Sequence, residues 1–250
     1  MFLWPRPDSR RDRPGAQTML NQSDEAWLRG AHPDLIREGD TVEGTITFTA
    51  AYHQPTNRFV ILANQDTAPS GAVTLAGTFH IRIQERTDTT DSRLPALYIQ
   101  GIDPAPERHF NQRDKSACLC SPFDEDDFLQ PEFQFRPYLE QLVVPFLFGQ
   151  NFYSSQERWP WPEYAHGATG VLEAYSTFAD PSRAQQCLQK LTKDRTWPYI
   201  RSTLQQKPHV KGHTPCFCLS LNHIRRCHPM ALQGALQLQK DLRAQGISIP

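Results

Sequence analysis

Residues 41–52 read TVEGTITFTAAY, a run dominated by β-branched and aromatic side chains. Three similar runs follow, NRFVILAN from residue 57, AVTLAGTFHIRIQE from residue 72 and LPALYIQG from residue 94. Runs of this composition are typical of strands, and the polar stretches between them are typical of turns. The sequence therefore predicts a sheet of about four sequential strands, most simply an antiparallel meander.

Helices are predicted before and after this sheet. Residues 23–39, SDEAWLRGAHPDLIREG, begin with a short helix that Ser23 can cap. Residues 135–156, FRPYLEQLVVPFLFGQNFYSSQ, place apolar side chains at helical spacing, and Pro145 inside them predicts a kink or an end of that helix. Further helices are predicted from about Thr169, Ser182 and Pro229.

The overall composition excludes several classes of protein. The 26 lysines and arginines nearly balance the 27 aspartates and glutamates, so no net field favours nucleic acid or an anionic membrane as a partner. No apolar run has transmembrane length, and residues 1–17, MFLWPRPDSRRDRPGAQ, lack the apolar core of a secretory signal. We therefore expect a cytoplasmic protein with a disordered leader at residues 1–22, for which Met19 is an alternative start. Its six cysteines are expected to be thiols or metal ligands rather than disulfides.

A long loop is predicted over residues 103–131, where the sequence has no clear periodicity but contains HFNQRDKSACLC at residues 109–120. A cysteine that accepts an acyl group needs a hydrogen-bond donor where the carbonyl oxygen gains charge. The neutral amide of Asn111 suits that role, with Cys118 as the candidate nucleophile. His109 can hold the loop by hydrogen bonds.

Other roles remain open for this loop. Cys120 is a second candidate nucleophile or a resolving thiol, and a redox pair formed with Cys118 would require a low thiol pKa. Both cysteines could instead be buried beside strands, as free cysteines commonly are. The acidic run from Asp124 to Asp127 is either a solvated loop or a group that orients a lysine nucleophile.

These elements and motifs resemble a known family. The order of helix, four strands, long loop with His-x-Asn, Cys-Leu and further helices is similar to that of the ubiquitin-conjugating enzymes. HFNQRDKSACLC, followed by PYLEQLVVPFL and WPWPEYAHG, more closely resembles their bacterial relatives in antiphage defence operons. The resemblance covers residues 24–178 as an ordering of elements. It departs from the usual pattern at Phe110, where proline is usual, and in the shorter spacing from Asn111 to Cys118.

The resemblance implies a role for each residue of the loop. Cys118 would carry a protein C-terminus as a thioester and pass it to an amine of a target protein or small molecule. Asn111 would stabilise the oxyanion, and His109 would order the loop. His166, in a His-Gly pair that the bacterial relatives share, would help to deprotonate the incoming amine, or it would only open a helix.

The resemblance also implies partners. In such operons these proteins act on the C-terminus of a cyclic-oligonucleotide synthase resembling cGAS. A cGAS-like nucleotidyltransferase is therefore the expected partner, with an activating enzyme that is either separate or dispensed with. The alternative function is a non-catalytic adaptor that uses the same fold and a zinc module for binding.

A second cysteine group lies in PCFCLSLNHIRRCHP, residues 215–229. The candidate metal ligands are Cys216, Cys218, Cys227 and His228. Three thiolates and one imidazole suit tetrahedral zinc, and a closed set of four ligands predicts a structural ion. The spacing resembles the zinc motif at the C-terminus of the SecA translocation ATPase, except that Leu219 replaces the usual glycine. The alternative is that these are unrelated core cysteines, and the basic residues around them are either a solvated face or a docking site for a partner.

The predicted fold class is thus α+β. A ubiquitin-conjugating-enzyme-like domain is expected at residues 23–180, and a helical extension with the zinc motif is expected at residues 181–250. The expected activity is that of a cysteine-thioester acyltransferase, with structural zinc as its cofactor.

Overall fold

The computed structural model describes residues 19–63, 66–86, 92–178 and 180–250. These residues form an α+β structure in two compact units. The first unit runs to Cys120 and continues from Asp124 to Glu163, and the second comprises Ser121–Phe123 and Tyr164–Pro250.

The first unit begins with helix α1 (Gln22–Ala31). Its N-cap is Asn21, whose side chain accepts a hydrogen bond from the backbone N–H of Asp24 at 2.9 Å. The Asp24 carboxylate accepts in return from the N–H of Asn21 at 3.2 Å. The expectation that Ser23 caps the helix is therefore wrong, because this reciprocal pair satisfies two N–H groups and lies two residues earlier.

The chain is already ordered before this cap. Met19 and Leu20 are buried in the core of the first unit. Residues 1–18 of the expected leader lie outside the described residues. The leader as expected, over residues 1–22, therefore extends too far, because its last residues contribute apolar surface to the core and cap a helix.

The described part of the first unit contains a five-stranded antiparallel sheet. Its strands are β1 (Leu35–Glu38), β2 (Thr41–His53), β3 (Arg58–Ile61), β4 (Val73–Gln84) and β5 (Ala96–Ile99). The path β1-β2-β4-β5 is a meander, and β3 pairs with the C-terminal half of β2. The expected count of about four strands omitted β1, and β3 does not lie between β2 and β4. The reason is length: β2 and β4 pair continuously from Thr41↔Gln84 to Tyr52↔Val73, which leaves the short β3 on the other edge of β2.

Helical segments follow the long loop, and the last of them packs against β4. They are α2 (Pro122–Phe128), α3 (Phe135–Pro137), a π-helical stretch (Tyr138–Val143) and α4 (Val144–Gln156). Pro145 does not end the helical run, which continues to Gln156, and the π-helical stretch ends two residues before it. The N–H of Val144 donates to the carbonyl of Leu139, and this wider turn accommodates a proline ring that would clash in a regular α-helix.

The second unit is helical. Its helices are α5 (Gly167–Phe178), α6 (Ala184–Thr192), α7 (Trp197–Leu204), α8 (Ile224–Cys227) and α9 (Pro229–Ala244). Helices α5 and α9 approach so closely that a Cβ on Gly234 would lie 1.9 Å from the carbonyl oxygen of Leu172. The buried Tyr175 hydroxyl also donates to Asp241 at 2.6 Å. The expected domain boundary at residue 180 thus falls inside this unit, since α5 packs against α9.

No described helix combines the length and apolar character that crossing a membrane requires.

Candidate functional site

The cysteine loop contains a short antiparallel pairing. Phe110 pairs with Ala117. The N–H of Asn111 donates to the carbonyl of Ser116 at 2.8 Å, and the N–H of Cys118 donates to the carbonyl of His109 at 2.7 Å. The segments 109–111 and 116–118 therefore face each other. The structure thus brings the backbones of His109, Asn111 and Cys118 together in one small hairpin.

The hairpin is fixed to the sheet through its apolar face. The N–H of Ala117 donates to the carbonyl of Leu97 in β5 at 2.8 Å. Phe110 and Ala117 are both buried in the core of the first unit.

Arg86 holds the far end of the hairpin. Its guanidinium donates to Asp114 and to the Ser116 hydroxyl, each at 2.7 Å, and to the carbonyl of Leu94 at 3.1 Å. Burial acts to raise the pKa of the Asp114 carboxyl, but hydrogen bonds from Arg86 and Ser116 outweigh it and lower that pKa. The carboxylate therefore stays charged, and the loop is held by an ion pair at neutral pH.

The side chain of Asn111 also contributes to this network. Its amide donates to the Ser116 hydroxyl at 3.0 Å, and that hydroxyl donates to Asp114 at 2.8 Å. An amide nitrogen carries two N–H donors, so one hydrogen bond to Ser116 leaves the group able to donate a second.

His109 lies at a strained point of the chain. Its φ is 56°, in the left-handed region that residues other than glycine rarely adopt. The Nε2 atom of its ring forms a hydrogen bond with the Glu163 carboxylate. The ring also meets the ring of Trp159 edge-on, with 4.8 Å between centroids, and the Trp159 indole N–H donates to the carbonyl of Glu107 at 3.1 Å. These contacts hold the His109 ring against the segment that follows α4.

Sequence reasoning did not identify the supporting residues Arg86, Asp114, Ser116 and Glu163. Arg86 is 28 residues from Asp114, so no local pattern connects them. Glu163 ends the WPWPE segment, residues 159–163, which carries part of the family resemblance. The resemblance in that segment was the feature of the sequence that could have pointed to Glu163.

Both thiols of the loop are half-buried. Burial raises the pKa of the Cys118 thiol, and the negative charge of Glu125 raises it further. The pKa of Cys120 is raised well above its usual value by burial first and by Asp124 and Glu125 next. The redox alternative requires a low thiol pKa, whereas both pKa values are raised.

The acidic run beside these thiols is helical rather than a loop. Asp124 and Glu125 lie in the first turn of α2. Arg93 binds this helix, because its backbone N–H donates to Glu125 at 2.8 Å and its guanidinium pairs with Asp126. A carboxylate cluster is thereby positioned close enough to the thiols to affect their pKa values.

We expect Glu125→Gln to make Cys118 more reactive. Removal of the negative charge lowers the thiol pKa towards its usual value, so the thiolate fraction at about pH 8 increases, and alkylation by iodoacetamide should be about 3- to 10-fold faster. The rate is measured by mass spectrometry in a Cys120→Ser background. Asp127→Asn is the control, because that carboxylate is not among the charges that raise the pKa of either thiol. Equal rates in all three proteins would contradict this electrostatic account.

The second candidate site is a cluster that could hold a metal ion. Its members are Cys216, Cys218, Cys227 and His228, whose ligand atoms all lie within 4.8 Å of one another. The Cys216 sulfur is 3.1 Å from Nδ1 of His228, and the sulfurs of Cys218 and Cys227 are 3.5 Å apart. Bonds of about 2.3 Å to sulfur and 2.0 Å to nitrogen give ligand separations of roughly 3.5–3.8 Å in a tetrahedron, and the separations in this cluster bracket that range.

The four ligands come from two places in the chain. One is a short turn at residues 215–223, which we call the knuckle, and the other is the junction of α8 and α9. Pro215 pairs with His223, and the N–H of Cys216 donates to the carbonyl of Asn222 at 2.8 Å. The resulting turn presents the first two cysteines. The other two ligands lie at the junction of α8 and α9, where His228 is the N-cap of α9.

The electrostatics of the cluster favour metal binding by thiolate. Burial acts to raise the pKa of Cys218, but hydrogen bonds from the side chain and backbone of Ser220 outweigh it and lower that pKa to about 6. The Ser220 hydroxyl lies 3.2 Å from the sulfur of Cys218 and 3.3 Å from that of Cys227. Burial raises the pKa of Cys216 to about 12, so this thiol needs a cation to ionise.

The remaining candidates lie in the second unit. His166 is exposed and directly precedes α5, which begins at Gly167. The His166-Gly167 pair therefore lies at the start of this helix. Cys187 is fully buried in the core of this unit, as expected from its apolar neighbours on α6.

No protein-family model, no curated protein and no solved structure matches this chain. The chemistry of the described side chains is therefore the basis for assigning a function.

Proposed function

We propose that this protein is a cysteine-thioester acyltransferase with a ubiquitin-conjugating-enzyme-like fold. Cys118 accepts a protein C-terminus as a thioester and passes it to an amine. The observation that carries this proposal is the hairpin that pairs 109–111 with 116–118 and is hydrogen-bonded to β5 through Ala117. A half-buried thiol held in a rigid loop opposite an Asn-containing segment suits covalent acyl transfer.

The reaction has two steps. In loading, the Cys118 sulfur attacks the carbonyl of an activated C-terminus and a C–S bond forms. The bond from that carbonyl to the activating group breaks, the activating group leaves with the electron pair, and the thiol proton passes to the leaving group or to water. In transfer, an amine nitrogen attacks the thioester carbonyl, a C–N bond forms, and the C–S bond breaks. The sulfur takes up a proton as the amine loses one. Asn111 donates a hydrogen bond to the oxyanion of each tetrahedral intermediate.

The raised pKa of Cys118 supports a carrier rather than a hydrolase. A thioester is neutral, so burial and the Glu125 charge do not penalise it, whereas they penalise the free thiolate. A thiol of high pKa is also a poor leaving group. A poor leaving group slows attack by water and by amines alike, so transfer depends on an amine that the site positions beside the thioester.

The acidic turn of α2 supports an amine as acceptor. Asp124 and Glu125 lie near enough to the loop thiols to raise a thiol pKa there. Their negative charge attracts a lysine ammonium to the same region. Because a carboxylate can also accept the proton that the amine must lose, this turn suits the incoming nucleophile.

The proposed acyl donor comes from the family resemblance. The C-terminus of a cGAS-like cyclic-oligonucleotide synthase is the candidate, and the acceptor is an amine on a target protein or small molecule. An extended C-terminal tail can reach a thiol that is half-buried in a loop, whereas a folded surface cannot. Antiphage defence is the setting in which these partners would meet.

We also propose that the metal of the second unit is zinc with a structural role. Three cysteine sulfurs and one histidine nitrogen are the ligands that zinc prefers, and four protein ligands leave no position for a substrate. Cys216 is buried beside Phe217, and Ile224 is buried in α8. A bound ion would therefore join the knuckle to the core of this unit.

The Asn111→Ala variant tests the oxyanion role. Loss of a donor to an oxyanion slows acyl transfer by about 10²–10³-fold. The rate of transfer from a glycine-terminated peptide thioester to Cys118, and then to free lysine, is followed by intact mass. We expect this slowing in both steps, because each passes through a tetrahedral intermediate.

Ser116→Ala is the matched control for that experiment. It removes the hydroxyl that receives the Asn111 amide at 3.0 Å but leaves the amide in place. If Asn111 acts only by holding the loop, both variants should slow the reaction equally. If neither variant affects it, or if Cys118 is never loaded, the adaptor becomes the better assignment.

A further inference from the structure

Two leucines at the tip of the metal knuckle are neither buried nor in a favourable backbone conformation. Leu219 and Leu221 both have φ of 64°, in the left-handed region. Leu219 is 55 % exposed and Leu221 is 84 % exposed. A glycine or asparagine suits such positions, because a β-carbon is strained there. Folding therefore does not account for leucine at either position.

A third apolar side chain lies close to the same metal cluster. Met230 is 43 % exposed and lies two residues after the ligand His228. Leu219 directly follows the ligand Cys218. Since the ligand atoms of these two residues lie within 4.8 Å of each other, Leu219 and Met230 both project from the immediate surroundings of the cluster.

The chain around this tip is strongly basic. No acidic residue occurs between Asp194 and Asp241, although the whole sequence is nearly neutral. The basic residues in that interval, all of them exposed, are Arg195, Arg201, Lys207, Lys211, Arg225, Arg226 and Lys240. Arg225 and Arg226 lie in α8, which supplies the ligand Cys227. Positive charge is therefore concentrated in the unit that exposes the leucines.

We propose that this surface, Leu219, Leu221 and Met230 with Arg225 and Arg226, docks an acidic segment of a partner protein that carries aliphatic side chains. We call it the knuckle surface. Aliphatic side chains of the partner cover the exposed leucines, and its carboxylates pair with the arginines. Exposed apolar residues rimmed by charge are typical of protein interaction sites. This role is separate from the chemistry of Cys118.

The side chains of the knuckle surface favour a peptide over a single-stranded nucleic acid. Nucleic-acid grooves combine positive charge with aromatic side chains on which bases stack. The aromatic residue of the knuckle, Phe217, is buried and meets the ring of Tyr199 edge-on. The exposed apolar side chains at the tip are leucines, which offer no face for stacking, and the rings of the exposed His213 and His223 meet each other edge-on, with 6.5 Å between centroids. Aliphatic contacts together with arginine match an acidic peptide.

The decisive variant replaces both leucines with glycine. Glycine adopts positive φ without strain, so Leu219→Gly with Leu221→Gly should keep the bound metal and leave the Tm unchanged or higher. The same change removes the aliphatic contacts of the knuckle surface. Loss of docking without loss of stability would separate binding from folding.

The probe is a display library of random peptides panned against the full chain. We expect enrichment of peptides rich in aspartate and glutamate with leucine, isoleucine or methionine. An enriched peptide should bind the Leu219→Gly, Leu221→Gly variant at least about 10-fold more weakly, since the variant lacks two leucines that the bound peptide would bury. Arg225→Gln with Arg226→Gln should weaken it several-fold and reduce the dependence on salt.

Ile36→Ser is the control, because Ile36 is an apolar residue of β1 in the first unit that is 61 % exposed. It should not affect peptide binding. Enriched peptides without acidic residues, equal binding by the double-glycine variant, or tighter binding of oligo-dT than of any peptide would overturn the proposal. Loading of Cys118 by the peptide thioester should be the same in the double-glycine variant, so failure here is distinguishable from failure of the acyltransferase assignment.

Discussion

Replacing Cys227 with serine is expected to release the metal and unfold the second unit. The four ligand atoms lie within 4.8 Å of one another, and removal of one thiolate leaves two cysteines and one histidine. Zinc binding to structural sites of this kind contributes about 10–16 kcal/mol, which is comparable to the whole stability of a domain, about 5–15 kcal/mol. At the tip of the knuckle Leu219 and Leu221 are exposed to solvent and contribute little apolar burial, so the ion would be the main link between the turn and the junction of α8 and α9.

Metal analysis and calorimetry measure this result. We expect about one zinc per chain in the natural protein and close to none in the variant. The Tm of the second unit should fall by more than about 15 °C, since 1 kcal/mol changes the Tm of a domain of this size by about 4–8 °C. Addition of a chelator to the natural protein should give the same loss.

Cys187→Ala is the matched control. Cys187 is a fully buried cysteine of the same unit that does not belong to the cluster. This variant loses a core sulfur but should keep its zinc. Stoichiometric zinc in Cys227→Ser, or an unchanged Tm after chelation, would contradict a structural metal at this cluster.

The metal cluster was accessible to sequence analysis because its ligands are close in the chain. Cys216 and Cys218 share one turn, Cys227 is the last residue of the short helix α8, and His228 comes directly after it. A spacing rule therefore captures the geometry. The grouping of the four residues is confirmed, while the identity of the metal stays a prediction.

The sheet was only partly accessible to sequence analysis. Composition identified β2, β3, β4 and β5, because each contains β-branched or aromatic residues. It did not show that β2 pairs with β4 along twelve residues, or that β1 is a strand at all. Strand order depends on which long strands can pair, and that information is not local.

The support of the thiol loop was not accessible to sequence analysis. Arg86 and Ser116 are 30 residues apart, and His109 and Glu163 are 54 residues apart. These contacts form only when β4, the loop and the segment after α4 come together. The raised pKa of Cys118 likewise depends on burial and on a carboxylate of α2.

The loss of the acyl adduct in Cys118→Ala is the second large effect that we expect. A nucleophile that forms a covalent bond has no substitute, so loading should fall below detection rather than decrease in part. Cys120→Ser should still be loaded, because Cys120 packs against the core and its thiol pKa is raised well above the usual value.

If the exposure and pKa of each thiol alone decided which cysteine is acylated, Cys218 would be modified before Cys118. Cys218 is exposed and has a pKa lowered to about 6, so a free thiol at that position would react with a thioester before Cys118 does. Zinc would protect Cys218 in the natural protein. Modification of Cys118, despite its raised pKa, would therefore indicate that the loop itself promotes acyl transfer.

The most direct test is to incubate the zinc-loaded chain with a glycine-terminated peptide thioester near neutral pH and to locate the adduct by intact mass and peptide mapping. The account predicts one acyl group on Cys118, released by hydroxylamine and absent from Cys118→Ala. An adduct that persists in Cys118→Ala, or no adduct on the natural protein, would contradict it.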